Sequence, residues 1–168
     1  INQDMETTVD ELIRQFEDTL SEEGYHGLHV SQEVVTDNAQ YYTVKLSVLE
    51  TEASGYEHNQ FYTIDKQTGN VVALADLFAE GSNYISVISE NIKTQMREQM
   101  VADEDVIYFL DDEDMTEFNF QSITEQTNFY FNESGELVIA FDEYEVAPGY
   151  MGAPEFVIPQ KVTAGLLK

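Results

Sequence analysis

Thirty-three Asp and Glu stand against seven Lys and Arg in this chain, a formal net charge of −26. Most of these acids have no cation to pair with, and an unpaired carboxylate is too costly to bury. They therefore belong to the solvated surface, and the fold must be read from the apolar positions between them. The charge makes a self-repelling field that costs some stability and keeps the chain soluble and monomeric. It excludes partners that need Lys and Arg to neutralise phosphates, so no nucleic acid is expected, and anionic membrane surfaces are disfavoured likewise. Cationic partners gain, with encounter rates raised roughly tenfold to a thousandfold at low salt. Solubility alone is the equal alternative on composition.

The 168 residues, 42% of them apolar with ten Tyr and ten Phe, suit a single folded domain spanning 1–168. The absence of Cys excludes disulfides, thiolate metal sites and a Cys nucleophile. No apolar run reaches the roughly 18 residues that span a bilayer, and Ile1 begins no recognisable leader.

Met5, Val9, Leu12, Ile13, Phe16 and Leu20 form one stripe at helical period, with Gly24 as a stop signal. Tyr41 to Leu49 alternates and reads as a half-buried strand, with Tyr42, Val44, Leu46 and Val48 on its apolar face. A weaker strand, Leu28 to Val35, precedes it across a turn at Asp37 and Asn38. Gln60 to Ile64 is a further strand ending in the turn DKQTG, after which Asn70 to Leu74 continues extended and Ala75 to Phe78 opens a helical turn. Ser82 is placed to cap a second helix whose stripe is Ile85, Ile88, Ile92 and Met96. An apolar island, Val106 to Leu110, stands buried within acidic flanks. Asn128 to Phe131 and Leu137 to Phe141 form a hairpin, Phe156 to Ile158 a last strand, and Val162 to Leu167 a terminal helical turn. The expected fold is α+β: an antiparallel sheet of about five or six strands, with helices over Asp4–Glu22 and Asn83–Met100 packed on one face.

Catalytic chemistry is poorly represented. Asp142 with Glu143 or Glu145 is the best carboxylate pair, and a structural role at a strand end is the simpler reading. An EF-hand counted from Asp111 would need Gly at its sixth position and Glu at its twelfth; Thr116 and Ser122 stand there. His26 and His29 on an extended segment point to opposite faces, and a zinc site would need His58 brought to them. No nucleophile elbow or phosphate loop is present. The chain reads as a binding domain with no catalytic residues, no cofactor and no metal. Its recognition candidates are two projecting loops. One is APGYMGAP, with Pro148, Tyr150 and Met151 presented among small residues; the other runs from Ser54 to Asn59 and carries Tyr56 and His58.

Three stretches carry a family resemblance: FYTIDKQTGNVVALADLF (Phe61 to Phe78), NFYFNESGELVIAFDEYEVAPGYMG (Asn128 to Gly152) and PEFVIP (Pro154 to Pro159). Together they resemble the C-terminal module of RsiV-type anti-sigma-V factors, which also occurs in some cell-wall polysaccharide deacetylases. The likeness spans 41–168; residues 1–38 fit as the variable N-terminal part. It implies an extracellular sensor domain of a membrane-anchored anti-sigma factor, with its anchor upstream of Ile1 and the domain itself outside the membrane. Lysozyme, a basic protein, would be the partner, and its binding would trigger regulated proteolysis and release of a sigma factor held by a cytoplasmic segment. By motif, Pro148, Tyr150 and Met151 would enter the lysozyme cleft, with Ser54, Tyr56 and His58 as a second contact. The competing expectation is a non-catalytic glycan- or peptidoglycan-binding accessory module of a cell-wall deacetylase or lipoprotein.

Overall fold

The computed structural model describes residues 2–19, 26–51, 55–113 and 116–168. Helix α1 (Asn2–Thr19) precedes three long strands, β1 (Gly27–Asp37), β2 (Tyr41–Thr51) and β3 (Gly55–Asp65). A 3-10 turn (Leu74–Leu77) leads to helix α2 (Tyr84–Ala102). Strands β4 (Asn128–Phe131) and β5 (Leu137–Ala140), a second 3-10 turn (Gly149–Met151), β6 (Glu155–Ile158) and the short α3 (Gln160–Thr163) complete the order.

The class is α+β as expected, but the strands do not form one sheet. They form two three-stranded antiparallel sheets among the described residues, β1-β2-β3 and β4-β5-β6. Nor do both helices share a face. Helix α1 lies on the first sheet, where Met5 and Val9 line a groove with Leu46, and the Thr8 and Tyr62 hydroxyls meet at 3.3 Å. Helix α2 covers the second sheet: Ile88, Ile92 and Met96 are fully buried in one cluster with Leu137, Ile139, Phe156 and Ile158. Its stripe is the one that the period predicts. The cap is not: Asn83, not Ser82, precedes the first turn, and makes no side-chain cap bond. The expected α1 residues Leu20 and Glu22, and the stop at Gly24, lie outside the described residues.

Turn chemistry locates the β1–β2 hairpin and the DKQTG turn after β3. Asn38 Oδ1 accepts the N–H groups of Gln40 and Tyr41 at 2.9 and 2.7 Å. Asp65 Oδ1 accepts those of Gln67 and Thr68, both at 2.8 Å, and Gly69 closes the turn at φ 73°. Beyond it Asn70 to Leu74 does not continue as a strand; Ile64 and Val71 form an isolated bridge. The island is buried at Tyr108 and Leu110, while Ile107 is exposed.

The second sheet packs across the face of the first that alternation assigns to solvent. Thr43 and Thr63 are buried there, hydroxyl to hydroxyl at 3.0 Å. Thr36 donates to the Phe131 carbonyl at 2.6 Å, Tyr41 stacks on Phe131 at 4.5 Å, and Phe61 stacks on Tyr130 at 5.3 Å. The first sheet is thus covered on both sides, by α1 and by β4. Thr36, Thr43 and Thr63 tolerate burial because each hydroxyl finds a hydrogen-bond partner.

β3 ends the first sheet, and an open edge strand exposes unpaired N–H and C=O groups. Side chains close this edge. Glu143 Oε2 accepts the Glu57 N–H at 2.9 Å, Asp142 Oδ1 accepts that of Asn59 at 2.7 Å, and Asn128 Oδ1 that of Phe61 at 3.4 Å. Asn128 Nδ2 donates back to the Asn59 carbonyl at 2.7 Å, and the Val72 N–H donates to the Thr63 carbonyl at 2.8 Å.

Asp142→Ala, which orphans the Asn59 N–H, is expected to lower unfolding free energy by about 1–3 kcal/mol. Asp142→Asn keeps a carbonyl acceptor and should cost clearly less in the same urea titration. Equal losses would assign the effect to charge and not to the acceptor.

Candidate functional site

The segment after β5 is shaped by two tight turns. The Glu145 N–H donates to the Asp142 carbonyl at 3.1 Å, while Glu145 Oε2 turns back to accept the Asp142 N–H at 2.9 Å. Tyr144 takes a left-handed conformation, φ 65°, rare for a non-glycine residue. Val146 and Ala147 are then fully buried, and the Val146 carbonyl accepts the Phe109 N–H at 2.8 Å, so the loop that follows is anchored at its base. Pro148 is half-buried and begins the second turn, in which the Met151 N–H donates to its carbonyl at 2.9 Å. Tyr150 projects from that turn, 66% exposed, with its hydroxyl donating to the Asp105 carbonyl at 3.1 Å. Met151 does not project: it is half-buried and packs against the core. Among the loop residues that the motif nominates, the exposed anchor is Tyr150.

The second nominated loop is largely a strand. From Gly55 onward it belongs to β3, paired residue by residue with β2, so Tyr56 and His58 stand on a rigid element. Ser54 lies outside the described residues. The Tyr56 ring is 5.6 Å from that of His58 and 6.4 Å from that of Tyr144. Tyr144 also lies over Gly149, so closely that a Cβ there would fall 2.3 Å from its Cζ and hydroxyl oxygen. One side chain thus joins the β3 patch to the 148–151 turn. Tyr144 escaped the sequence reading because its bridging depends on a left-handed backbone that DEYE does not announce; the glycine two residues before Met151 was the available signal.

The patch is aromatic and negative. Burial first, and then the carboxylates of Asp142, Glu145, Glu50 and Glu143, hold the Tyr56 hydroxyl above its usual range. Desolvation raises the Asp142 and Glu145 carboxyls; their backbone hydrogen bonds oppose this without cancelling it. The ion pairs Lys45–Glu33, Lys66–Asp37, Lys93–Glu90 and Arg97–Asp111 lie elsewhere. As for chemistry, the carboxylates of Asp142, Glu143 and Glu145 each accept a backbone N–H, which makes them structural caps. Among the described residues no three His, Cys, Asp or Glu side chains converge to hold a metal, and no helix is long and apolar enough to cross a membrane. What the arrangement offers is a rigid aromatic surface in an uncompensated negative field.

Residues 75–161 match the family model described as "Protein of unknown function (DUF3298)". The chain is 42% identical over 147 residues to anti-sigma-V factor RsiV of Bacillus subtilis (strain 168), covering 88% of this chain and 50% of that protein. It therefore spans about half the length of this curated relative. Two crystal structures share the fold. A DUF3298 family member from Bacteroides fragilis superposes with a TM-score of 0.61 at 19% identity, over 96% of this chain and 63% of that one. Another from Pseudomonas aeruginosa gives 0.69 at 22% identity, over 94% and 68%.

Two outcomes follow from the geometry. Gly149→Ala is expected to push the exposed Tyr144 ring off Tyr56 at a stability cost under about 1 kcal/mol. Loss of the Tyr144–Tyr56 contact in NMR spectra, with the fold intact, checks this. For Asp142 and Glu145, a raised folded-state pKa means that the folded chain binds protons more readily than the unfolded one. Their contribution is fully present below the unfolded carboxylate range near pH 4 and is lost as pH rises through the higher folded values. Denaturation midpoints should therefore rise as pH falls from about 7 toward about 5, with a shallower slope in Asp142→Asn.

Proposed function

From the premise that this chain belongs to the DUF3298 family, we propose that it is the extracellular, lysozyme-binding sensor domain of a membrane-anchored anti-sigma factor. The observation that carries this reading is the 42% identity to anti-sigma-V factor RsiV, sustained over most of the chain. In this reading, lysozyme binding outside the cell starts regulated proteolysis that releases a sigma factor held by a segment of the longer protein. The chain contributes recognition and no catalysis.

Two physical features support a basic protein as the partner. The −26 net charge steers a cationic surface toward the domain and sets on-rate and salt dependence. Tyr150, exposed on a turn whose base is buried, has the rigidity and area of an interface anchor. Tyr56 and Tyr144 extend that surface onto β3. An anchor of this kind governs the off-rate, as most affinity differences within one interface do.

Calorimetric titration against hen-type lysozyme at low salt tests the reading, and absence of binding there overturns it. Tyr150→Ala is expected to weaken binding by about 2 kcal/mol, roughly 30-fold, through faster dissociation. Raising ionic strength should slow association of wild type and variant alike. A dissociation rate unchanged by Tyr150→Ala would remove the 148–151 turn from the interface.

A further inference from the structure

A cleft of about 690 Å³ opens at the other end of the β2–β3 hairpin, lined by Asn38, Tyr41, Asp65, Asn70, Asp76 and Phe131 among others. Tyr41 pairs with Asp65 and Glu50 pairs with Tyr56, nine residues along, which puts this cleft about 30 Å from the Tyr56 patch. The sensor reading leaves it without a role.

Its chemistry is specific. Two parallel rings, Tyr41 on Phe131 at an interplanar angle of 9°, form part of the wall. Planar polar side chains surround them: the amides of Gln40, Asn38 and Asn70, and the carboxylates of Asp65 and Asp76. These groups are held in place by the turns. Gln40 Nε2 donates to the Tyr41 hydroxyl at 2.9 Å, Asp65 keeps one oxygen on the Gln67 and Thr68 N–H groups, and Asp76 keeps one on the Ala73 N–H at 3.0 Å. The second carboxylate oxygens, the Gln40 Oε1, the Asn38 Nδ2 and the Asn70 amide remain to meet a ligand. Val71 and Leu167, 48% and 47% exposed, add an apolar margin.

An anion is disfavoured: Asp65 and Asp76 outnumber Lys168 in the lining, and the field of the whole chain is negative. A purely apolar ligand would leave the amides and carboxylates unpaired, at a cost. A neutral polyol with one apolar face answers both sets of groups: ring C–H bonds lie on aromatic surface while paired hydroxyls bridge carboxylates and amides. We infer that the cleft between the β1–β2 turn, the DKQTG turn and β4 is a binding site for a neutral oligosaccharide, centred on Tyr41 and Phe131 and separate from the proposed lysozyme surface. The margin at Val71 and Leu167 suits the methyl group of an N-acetylated sugar.

The test is an NMR and calorimetric titration of the chain with tetra-N-acetylchitotetraose and, in a parallel arm, cellotetraose. Saturable binding of at least one, with shifts centred on the backbone amides of residues 38–41 and 68–72, is the expected result. Binding of the acetylated sugar alone assigns the apolar margin to the acetyl group; binding of both assigns recognition to the ring. Tyr41 touches the core and its removal can compromise folding, so the deciding variants are the exposed Gln40→Ala and Asn70→Ala. Each should weaken binding about fivefold or more, the loss of one hydrogen bond, without lowering the melting temperature. Tyr150→Ala should leave saccharide binding unchanged, and Gln40→Ala should leave lysozyme binding unchanged, so either site can fail alone. No saturable binding of either sugar, or binding indifferent to Gln40→Ala and Asn70→Ala together, overturns the proposal.

Discussion

The closed edge of β3 is the contact on which the rest of the molecule depends. A three-stranded sheet with an eleven-residue edge strand would present a row of free N–H and C=O groups to any other chain. Here oxygens of Glu143, Asp142 and Asn128 take those N–H groups in succession, and Asn128 also returns a donor. Three side chains from the second half of the chain thus do the work of a fourth strand. They fix where the second sheet sits against the first, because an acceptor of this kind is effective only near hydrogen-bonding distance.

This edge also explains why an acid-rich chain spends two half-buried carboxylates, Asp142 and Glu143, against its interior. Asp142 and Glu145 ionise less readily than in water, since burial outweighs the backbone bonds that stabilise their charge. With Glu143 they hold the DEYE turn against β3, and the turn in turn places Tyr144 over Gly149 and beside Tyr56. The exposed aromatic surface is therefore a by-product of edge closure. Its rigidity comes from the same bonds, and rigid aromatic area is what lowers the entropy cost of binding. The acids that cap β3 also contribute to the field that would draw in a basic partner.

Much of the fold was legible because local rules and burial agree. The α2 stripe at Ile88, Ile92 and Met96 faces the core as its period requires. Asn38 and the DKQTG segment make the turns their chemistry favours, bond by bond. Tyr150 is exposed, as the small residues around it suggested. The failures share a cause. Thr36, Thr43 and Thr63 have the polarity of a solvated face, yet they are buried: β4 carbonyls 95 and 66 residues away accept from Thr36 and Thr63, and Thr43 meets the Thr63 hydroxyl. Met151 has the look of a projecting side chain but folds onto the core, because Val146 and Ala147 draw the chain inward just before it. Tyr56 and His58 read as loop residues because GYEHNQ lacks apolar alternation, while cross-strand pairing with β2 makes them strand.

By itself, then, the sequence determined the α+β class, the α2 stripe (in α1, Ile13 of the expected stripe is exposed), the turns, the surplus negative field and the motifs that tie the chain to its relatives. These depend on nearest neighbours along the chain or on simple totals. Tertiary structure alone decided that the strands divide into two sheets and that the polar face of the first is interior. It alone decided that Asp142, Glu143 and Asn128 close β3, and that Tyr144 joins two distant segments into one surface. Each of these rests on a donor and an acceptor, or two rings, far apart in the chain. No periodicity reports such a pair, because its energy appears only after the intervening chain has folded.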